Sequence, residues 1–308
     1  MTWNLSAALC LAVLLSACAH PPPPGPKIDP ALAGMIPADT VLMAGMRLEA
    51  IQKTPIYQKH LAKLDLAPVD RFAAQMKIDP RKDLWELLYV SNGKLNAVMG
   101  RGKFSDESEP RIDKKGSHRF GYKGFSLVGD ETTAVLLVGP TVAAIGDTPE
   151  LKAMVDARDK SPGPPPAIAA VLKDISAGAH AWTAYSGGPL NLPIPATGNL
   201  SNLRNIVDAI QTGSLYLDLR MGFSVVGGGT SRTEKDAQDL EGGLKALVGL
   251  GRLSSPNDRP DLQRIWDGIR VTQQDRNVKL YIDEPEELVE KFLNLTAGKL
   301  PGVSPQAN

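Results

Sequence analysis

The chain has 308 residues, 43% apolar and 22% charged, with 34 basic against 34 acidic side chains. That apolar share fills a substantial core, and the length suits about two domains. A formal charge of zero excludes a wholesale basic footprint for nucleic acid, and 5% aromatic content leaves few rings for stacking on bases or sugars.

The first element is apolar. Residues 5 to 17 form an uncharged run, Leu-Ser-Ala-Ala-Leu-Cys-Leu-Ala-Val-Leu-Leu-Ser-Ala, of 13 residues. A membrane-spanning helix needs roughly 20, so the run reads as the core of a secretory signal peptide. Cys18 follows directly, and Leu15-Ser16-Ala17-Cys18 resembles the lipobox of bacterial lipoproteins. The resemblance implies cleavage before Cys18 and fatty acylation of that residue. Several acyl chains on one residue exceed the two-signal requirement for stable anchoring. One departure from the pattern is the absence of Lys or Arg in Met1-Thr2-Trp3-Asn4. Ala19, where an Asp would retain the protein at the inner membrane, implies the outer membrane, facing the periplasm.

The chain has two cysteines, Cys10 in the leader and Cys18 at the anchor. A mature chain cut at Cys18 therefore has no disulfide, and thiol catalysis, dithiol redox chemistry and thiolate zinc sites are excluded together. Residues 19 to 30 contain six prolines and read as a polyproline tether. The expected organisation is a signal peptide over 1–17, the acylated cysteine and tether over 18–30, and two halves over 31–160 and 161–308. A Pro/Gly-rich break from Asp159 to Pro166 separates the halves.

Within the first half, Val41–Met46 reads as a strand, 48–63 and 68–77 as helices, and Phe120–Val128 and Thr133–Val138 as strands. In the second half, Ala181–Tyr185 reads as a strand, 202–211 as a helix, and Asp261–Gly268 as a short helix. The best supported helix covers 232–250. Ser231-Arg232-Thr233-Glu234 has capping-box spacing there, and Ala237, Leu240, Leu244, Leu247 and Val248 share one face.

The two halves look like copies. Leu88-Tyr89-Val90 through Gly100-Arg101-Gly102 matches Leu215-Tyr216-Leu217 through Gly227-Gly228-Gly229 without a gap, each as two strands joined by a turn. A strand and an Asp-x-Pro-Glu helix start then close each half, at Asp147–Glu150 and Asp283–Glu286. Hairpins with intervening helices argue for an α+β fold of two related halves, each a largely antiparallel sheet with packed helices. The Gly146-Asp147-Thr148-Pro149 ending also resembles envelope proteins of acidobacteria that carry no assigned activity.

No catalytic constellation emerges. Ala184-Tyr185-Ser186-Gly187-Gly188 approaches a nucleophile elbow, but Pro189 and Pro193 forbid the helix that must follow. Gly100-Arg101-Gly102-Lys103 lacks the hydroxyl residue of a P-loop. Gly227-Gly228-Gly229-Thr230 precedes a helix and could receive an anion, although small residues in a structural turn explain it as well. The four histidines, His20, His60, His118 and His180, have no metal-binding spacing. Lys114–Arg119 is a basic segment suited to anionic headgroups or to a solvated hairpin. The 186–202 connection carries Leu190, Leu192 and Ile194, and those residues form the expected binding loop. The expected function is a non-enzymatic, membrane-anchored envelope module for binding or scaffolding. Its anchor is Cys18, an envelope protein is the candidate partner, and no cofactor, metal or nucleic acid is called for. Its alternative is a carrier of an apolar ligand or lipid between the halves, and a hydrolase using Ser186 ranks third.

Overall fold

The computed structural model describes residues 25–60, 64–66, 78–104, 116–189, 209–255, 260–296 and 303–305. Its strands are β1 (Leu42–Met46), β2 (Leu64–Leu66), β3 (Leu84–Ser91), β4 (Asn96–Gly102), β5 (His118–Tyr122), β6 (Phe125–Gly129), β7 (Thr133–Leu137), β8 (Val142–Asp147), β9 (Ala181–Tyr185), β10 (Ile210–Asp218), β11 (Gly222–Ser231), β12 (Arg270–Gln274), β13 (Asn277–Pro285) and β14 (Val303–Pro305). The helices are α1 (Pro30–Ala33), α2 (Leu48–Gln52), α3 (Pro55–Lys59), α4 (Pro80–Asp83), α5 (Thr148–Ala157), α6 (Pro166–Leu172), α7 (Glu234–Leu253), α8 (Pro260–Asp267) and α9 (Glu286–Thr296).

The α+β class holds. The sequence left open whether the halves share a sheet; the strands of both join one 12-stranded sheet in the order β12-β13-β11-β10-β9-β1-β3-β4-β8-β7-β6-β5. Every pairing in it is antiparallel, and β2 and β14 form a separate pair. The junction is β1 against β9, from Leu42 opposite Tyr185 to Met46 opposite Ala181. Both strands lack charged residues, so leaving either as a free edge would expose an uncharged row of unpaired amides.

Local chemistry shifts several boundaries. The helix expected over 48–63 breaks in two, because Pro55 opens α3 and the Thr54 hydroxyl caps it by accepting from Tyr57 N–H. The strand expected over 120–128 is a hairpin, turning at Lys123 and Gly124 with φ of 47° and 86°. The capping box of α7 is real but lies two residues later, between Thr233 and Asp236. Asp147 does not cap α5; its carboxylate accepts from Asn96 N–H at 2.7 Å instead. At the other helix start, β13 runs on through Pro285 and α9 opens at Glu286. The region 68–77 lies outside the described residues. So does most of 202–211, of which Ile210 already belongs to β10.

The ungapped hairpin match also slips. In the first hairpin Ser91 pairs with Asn96, leaving residues 92–95 as the connection. In the second Asp218 pairs with Ser224, leaving 219–223, one residue more. A one-residue slip sends a strand's side chains to the opposite face. Leu88 is accordingly fully buried on one face of the sheet, whereas Leu215 is 44% exposed on the other.

The two faces are covered differently. On the front face, Met43, Leu88, Met99, Leu136 and Trp182 pack against Leu32, Leu151, Met154 and Ile168 of the α1, α5 and α6 layer and against Ile175 just after α6. The indole of Trp182 lies over Gly45, where a Cβ would fall 2.3 Å from the ring. Separate clusters cover only parts of the back face. Ile78, Leu84, Phe104, Val135 and Ala143 form one, Ile51, Ile56 and Leu219 a second, and Ala237 and Leu240 of α7 with Val271 and Val278 a third.

Candidate functional site

Between those back-face clusters, the middle of the sheet stays open. Strand alternation puts one row of residues along its floor. Val98 lies opposite Tyr89, Tyr89 opposite Ala44, Ala44 opposite Thr183, Thr183 opposite Leu215, Leu215 opposite Gly227 and Gly227 opposite Leu280. At about 4.8 Å per strand the row runs about 29 Å.

Two cavities lie along this row and share Thr183 and Leu215. The first, of about 480 Å³, is walled by Met46, Leu87, Tyr89, Leu217, Phe223 and Val225. The second, of about 380 Å³, is walled by Leu42, Tyr185, Ile210, Val278 and Leu280, with Leu240 and Leu244 of α7 alongside. Both volumes fall in the range of small-molecule sites. No charged residue lines either one.

Glycines give the second cavity its depth. Gly213 on β10 and Gly227 and Gly229 on β11 turn to the floor, so the strands there carry no side chains. The nearest atom to a Cβ on Gly229 would be Ile210 Cγ2 at 3.6 Å, ordinary van der Waals contact. Gly227–Gly229 were read from sequence as a turn or an anion cradle, and that reading is corrected: they lie in the interior of β11, paired on both sides. A glycine within a strand marks a place where something approaches the backbone closely, and that was the signal available to find them.

His180 and Asp218 stand at strand ends, beside β9 and at the end of β10. His180 is 5% exposed, and its Nδ1 accepts from Leu219 N–H at 3.1 Å. Burial lowers its pKa, against the opposing pull of Asp218. Burial also pushes the Asp218 carboxyl up, but hydrogen bonds from Arg220 outweigh it and hold the group below its ordinary value. Glu150, at the start of α5, is 1% exposed with Oε1 lacking a hydrogen-bond partner. Burial first, then the Asp39 and Asp147 charges, raise its pKa to about 7. Tyr89, in the floor row, donates to Asn96 Oδ1 at 2.5 Å, and burial raises its pKa.

The residues singled out from sequence are not brought together. Cys18, Leu190, Leu192 and Ile194 lie outside the described residues, as do Lys114 and Lys115 of the basic segment. Ser186 donates its backbone N–H to the Val41 carbonyl at 2.9 Å, at one end of β9. His180 stands at the other end, about 20 Å away along an extended strand. His118 lies on the outermost strand, and His60 faces Glu290 at 3.8 Å. Ser186 therefore has none of these histidines as a base. Among the described residues, no group of three or more His, Cys, Asp or Glu is placed to hold a metal ion, and no helix is long and apolar enough to cross a membrane.

No family model matches the chain, and no curated protein does. Among solved structures, crystal form I of TP0453 is similar at 10% identity, covering 87% of this chain and 98% of its own, with a TM-score of 0.44. Crystal form III is similar at 11% identity over 87% and 99%, with a TM-score of 0.46. Likeness at that level assigns neither a fold nor an activity to this chain.

Proposed function

We propose that this protein is a lipoprotein of the cell envelope, acylated at Cys18, that holds an apolar ligand of the fatty-acyl class in the back-face groove and catalyses no reaction. The observation that carries the ligand class is the uncharged lining of the two cavities along the floor row from Val98 to Leu280. A bilayer core of about 30 Å allots about 15 Å to each leaflet's acyl chains, so a row of about 29 Å accommodates one such chain with room for a second. Location in the outer membrane, facing the periplasm, rests on the lipobox and on Ala19. A protein-binding scaffold would use the same apolar surface, but the concavity of the groove favours a small ligand over a flat partner.

We infer in addition that the two halves are related. Reading outward from the centre, β1-β3-β4-β8-β7 has the connectivity of β9-β10-β11-β13-β12. Each series then passes from a strand into a helix, β8 into α5 and β13 into α9. The groove lies across the junction, so a duplicated unit would contribute from both copies.

The ligand reading is tested by titrating the soluble Cys18→Ala chain with a fluorescent fatty acid. Saturable binding, competed by unlabelled fatty acid and lost on filling the groove with Leu215→Trp, is expected. Binding that survives Leu215→Trp, or that never saturates, contradicts it. Acylation is read separately, as the intact mass of the native protein against Cys18→Ala.

A further inference from the structure

The chain enters the fold on the face opposite the groove. Pro26 is buried, and a Cβ on Gly25 would fall 2.5 Å from the Leu172 carbonyl oxygen of α6. The Asp29 carboxylate accepts from Arg101 Nε at 3.1 Å, and Asp29 N–H donates to Glu86. Leu32, Met35 and Ile36 then enter the front core, so this segment cannot lift off without opening it. The expected tether is thus shorter than its prolines suggest, because its last part is already packed on the body.

Cys18 and Gly25 are seven positions apart in sequence. Seven residues reach at most about 25 Å when fully extended. To touch the back face they would have to pass round the strand ends. The path covers about half of a 30 Å strand and then a sheet-and-helix layer about 20 Å deep, more than the chain can span.

A second observation points the same way. The β5–β6 hairpin presents Phe120, Tyr122 and Phe125 to the front face beside α5. Lys152 Nζ lies 5.9 Å from the Phe120 ring centre and 5.5 Å from that of Tyr122. Arg158 stands 4.9 Å over Phe125, and Lys123 stands 5.4 Å over Tyr122. Asp156 takes Lys123 Nζ at 2.5 Å and the Tyr122 hydroxyl at 3.0 Å, and Asp159 is 3.8 Å from Arg158. With Lys160 next in the chain, four cations there face two carboxylates. Half-buried rings beside cations, of which Lys123 and Lys160 are exposed and Lys152 and Arg158 half-buried, suit the headgroup zone of an anionic bilayer, which attracts such residues within a Debye length.

We propose that the front face is a membrane-docking surface for anionic phospholipid headgroups, so that the anchored body turns its groove away from its own membrane and takes its ligand from the aqueous side. The proposal rests on the Cys18 anchor and the groove argued above, and each of those has its own readout in the mass and the titration. The test places the mature acylated chain on vesicles of phosphatidylcholine, with or without phosphatidylglycerol, containing a nitroxide-headgroup lipid. Since Cys18 is blocked and Cys10 leaves with the leader, a cysteine introduced at Asp159 or at Leu250 carries the only label. Asp159 is exposed beside the front-face cations, and Leu250 is 60% exposed on α7, behind the sheet.

On vesicles with phosphatidylglycerol, the label at 159 is expected to be quenched and the label at 250 not. On phosphatidylcholine alone, or in the Lys123→Glu/Lys152→Glu/Arg158→Glu variant at unchanged melting temperature, the quenching at 159 should fall. Equal quenching at the two sites, or quenching at 250 alone, overturns the proposed orientation. Quenching at 159 that ignores both lipid charge and the triple variant overturns the role of the cations.

Discussion

The two faces of one sheet, compared at the β1–β9 junction, differ more than any two segments of the chain. On the front, Met43, Leu88, Trp182 and Ala184 are at most 4% exposed. On the back, Met46 and Leu215 are 40% and 44% exposed, although they belong to the same strands or to strands bonded to them. Composition does not separate the faces, since both are apolar. The helix layer does: α1, α5 and α6 close the front, whereas the back-face clusters stop short of the centre. Apolar surface left open at a sheet centre has a use or is a liability, and a groove free of charged residues fits the first.

The comparison can be broken most severely at the front. Leu88→Ala should cost about 2–5 kcal/mol in urea denaturation, the usual cost of a core cavity. Leu215→Ala on the back should stay within about 1 kcal/mol, because its side chain already meets solvent. Similar losses at the two sites would mean that the back face is closed in solution.

Next in size is Glu150. Its folded pKa of about 7 stands above the ordinary 4.5, so the protonated carboxyl favours the fold. That contribution is complete below pH 4.5, declines as pH rises towards 7 and is gone above it, a change of at most about 3 kcal/mol. The stability difference between Glu150→Gln and the parent should therefore grow in favour of the variant from pH 5 to pH 8. A difference independent of pH would contradict a buried carboxyl whose Oε1 lacks a partner.

Gly45→Ala should destabilise by about 1–3 kcal/mol, because its methyl would enter the Trp182 indole and the well-packed front layer has no room to yield. The smallest expected change in stability comes from Gly229→Val. It has room at the back, so stability should move by less than about 1 kcal/mol, whereas fatty-acid affinity in the titration should drop about ten-fold. Loss of stability without loss of affinity would separate the glycines from the groove.

Much of this was legible in the sequence and part was not. The strands 41–46, 133–138 and 181–185, the two hairpins and the long amphipathic helix follow from apolar periodicity and turn residues. The single sheet does not, because the pairing of β1 with β9 joins residues far apart in sequence through backbone bonds that any apolar strands could make. The groove was hidden for a related reason. Thr183, Leu215 and Gly227 share a row only through a register fixed by hairpin length, and an ungapped alignment puts Leu215 on the wrong face. Leu190, Leu192 and Ile194 attracted notice because a long apolar loop is a local signal, and a sheet face is not.

The most direct check on the central claim is photo-crosslinking of the soluble chain with a fatty acid carrying a diazirine near its methyl end, followed by peptide mapping. Adducts should fall on the β1, β9 and β10 peptides that carry Met46, Thr183 and Leu215, and excess unlabelled fatty acid should remove them. Adducts confined to front-face peptides such as α5 and α6, or labelling that unlabelled fatty acid leaves untouched, would show that the open half of the sheet holds no acyl chain.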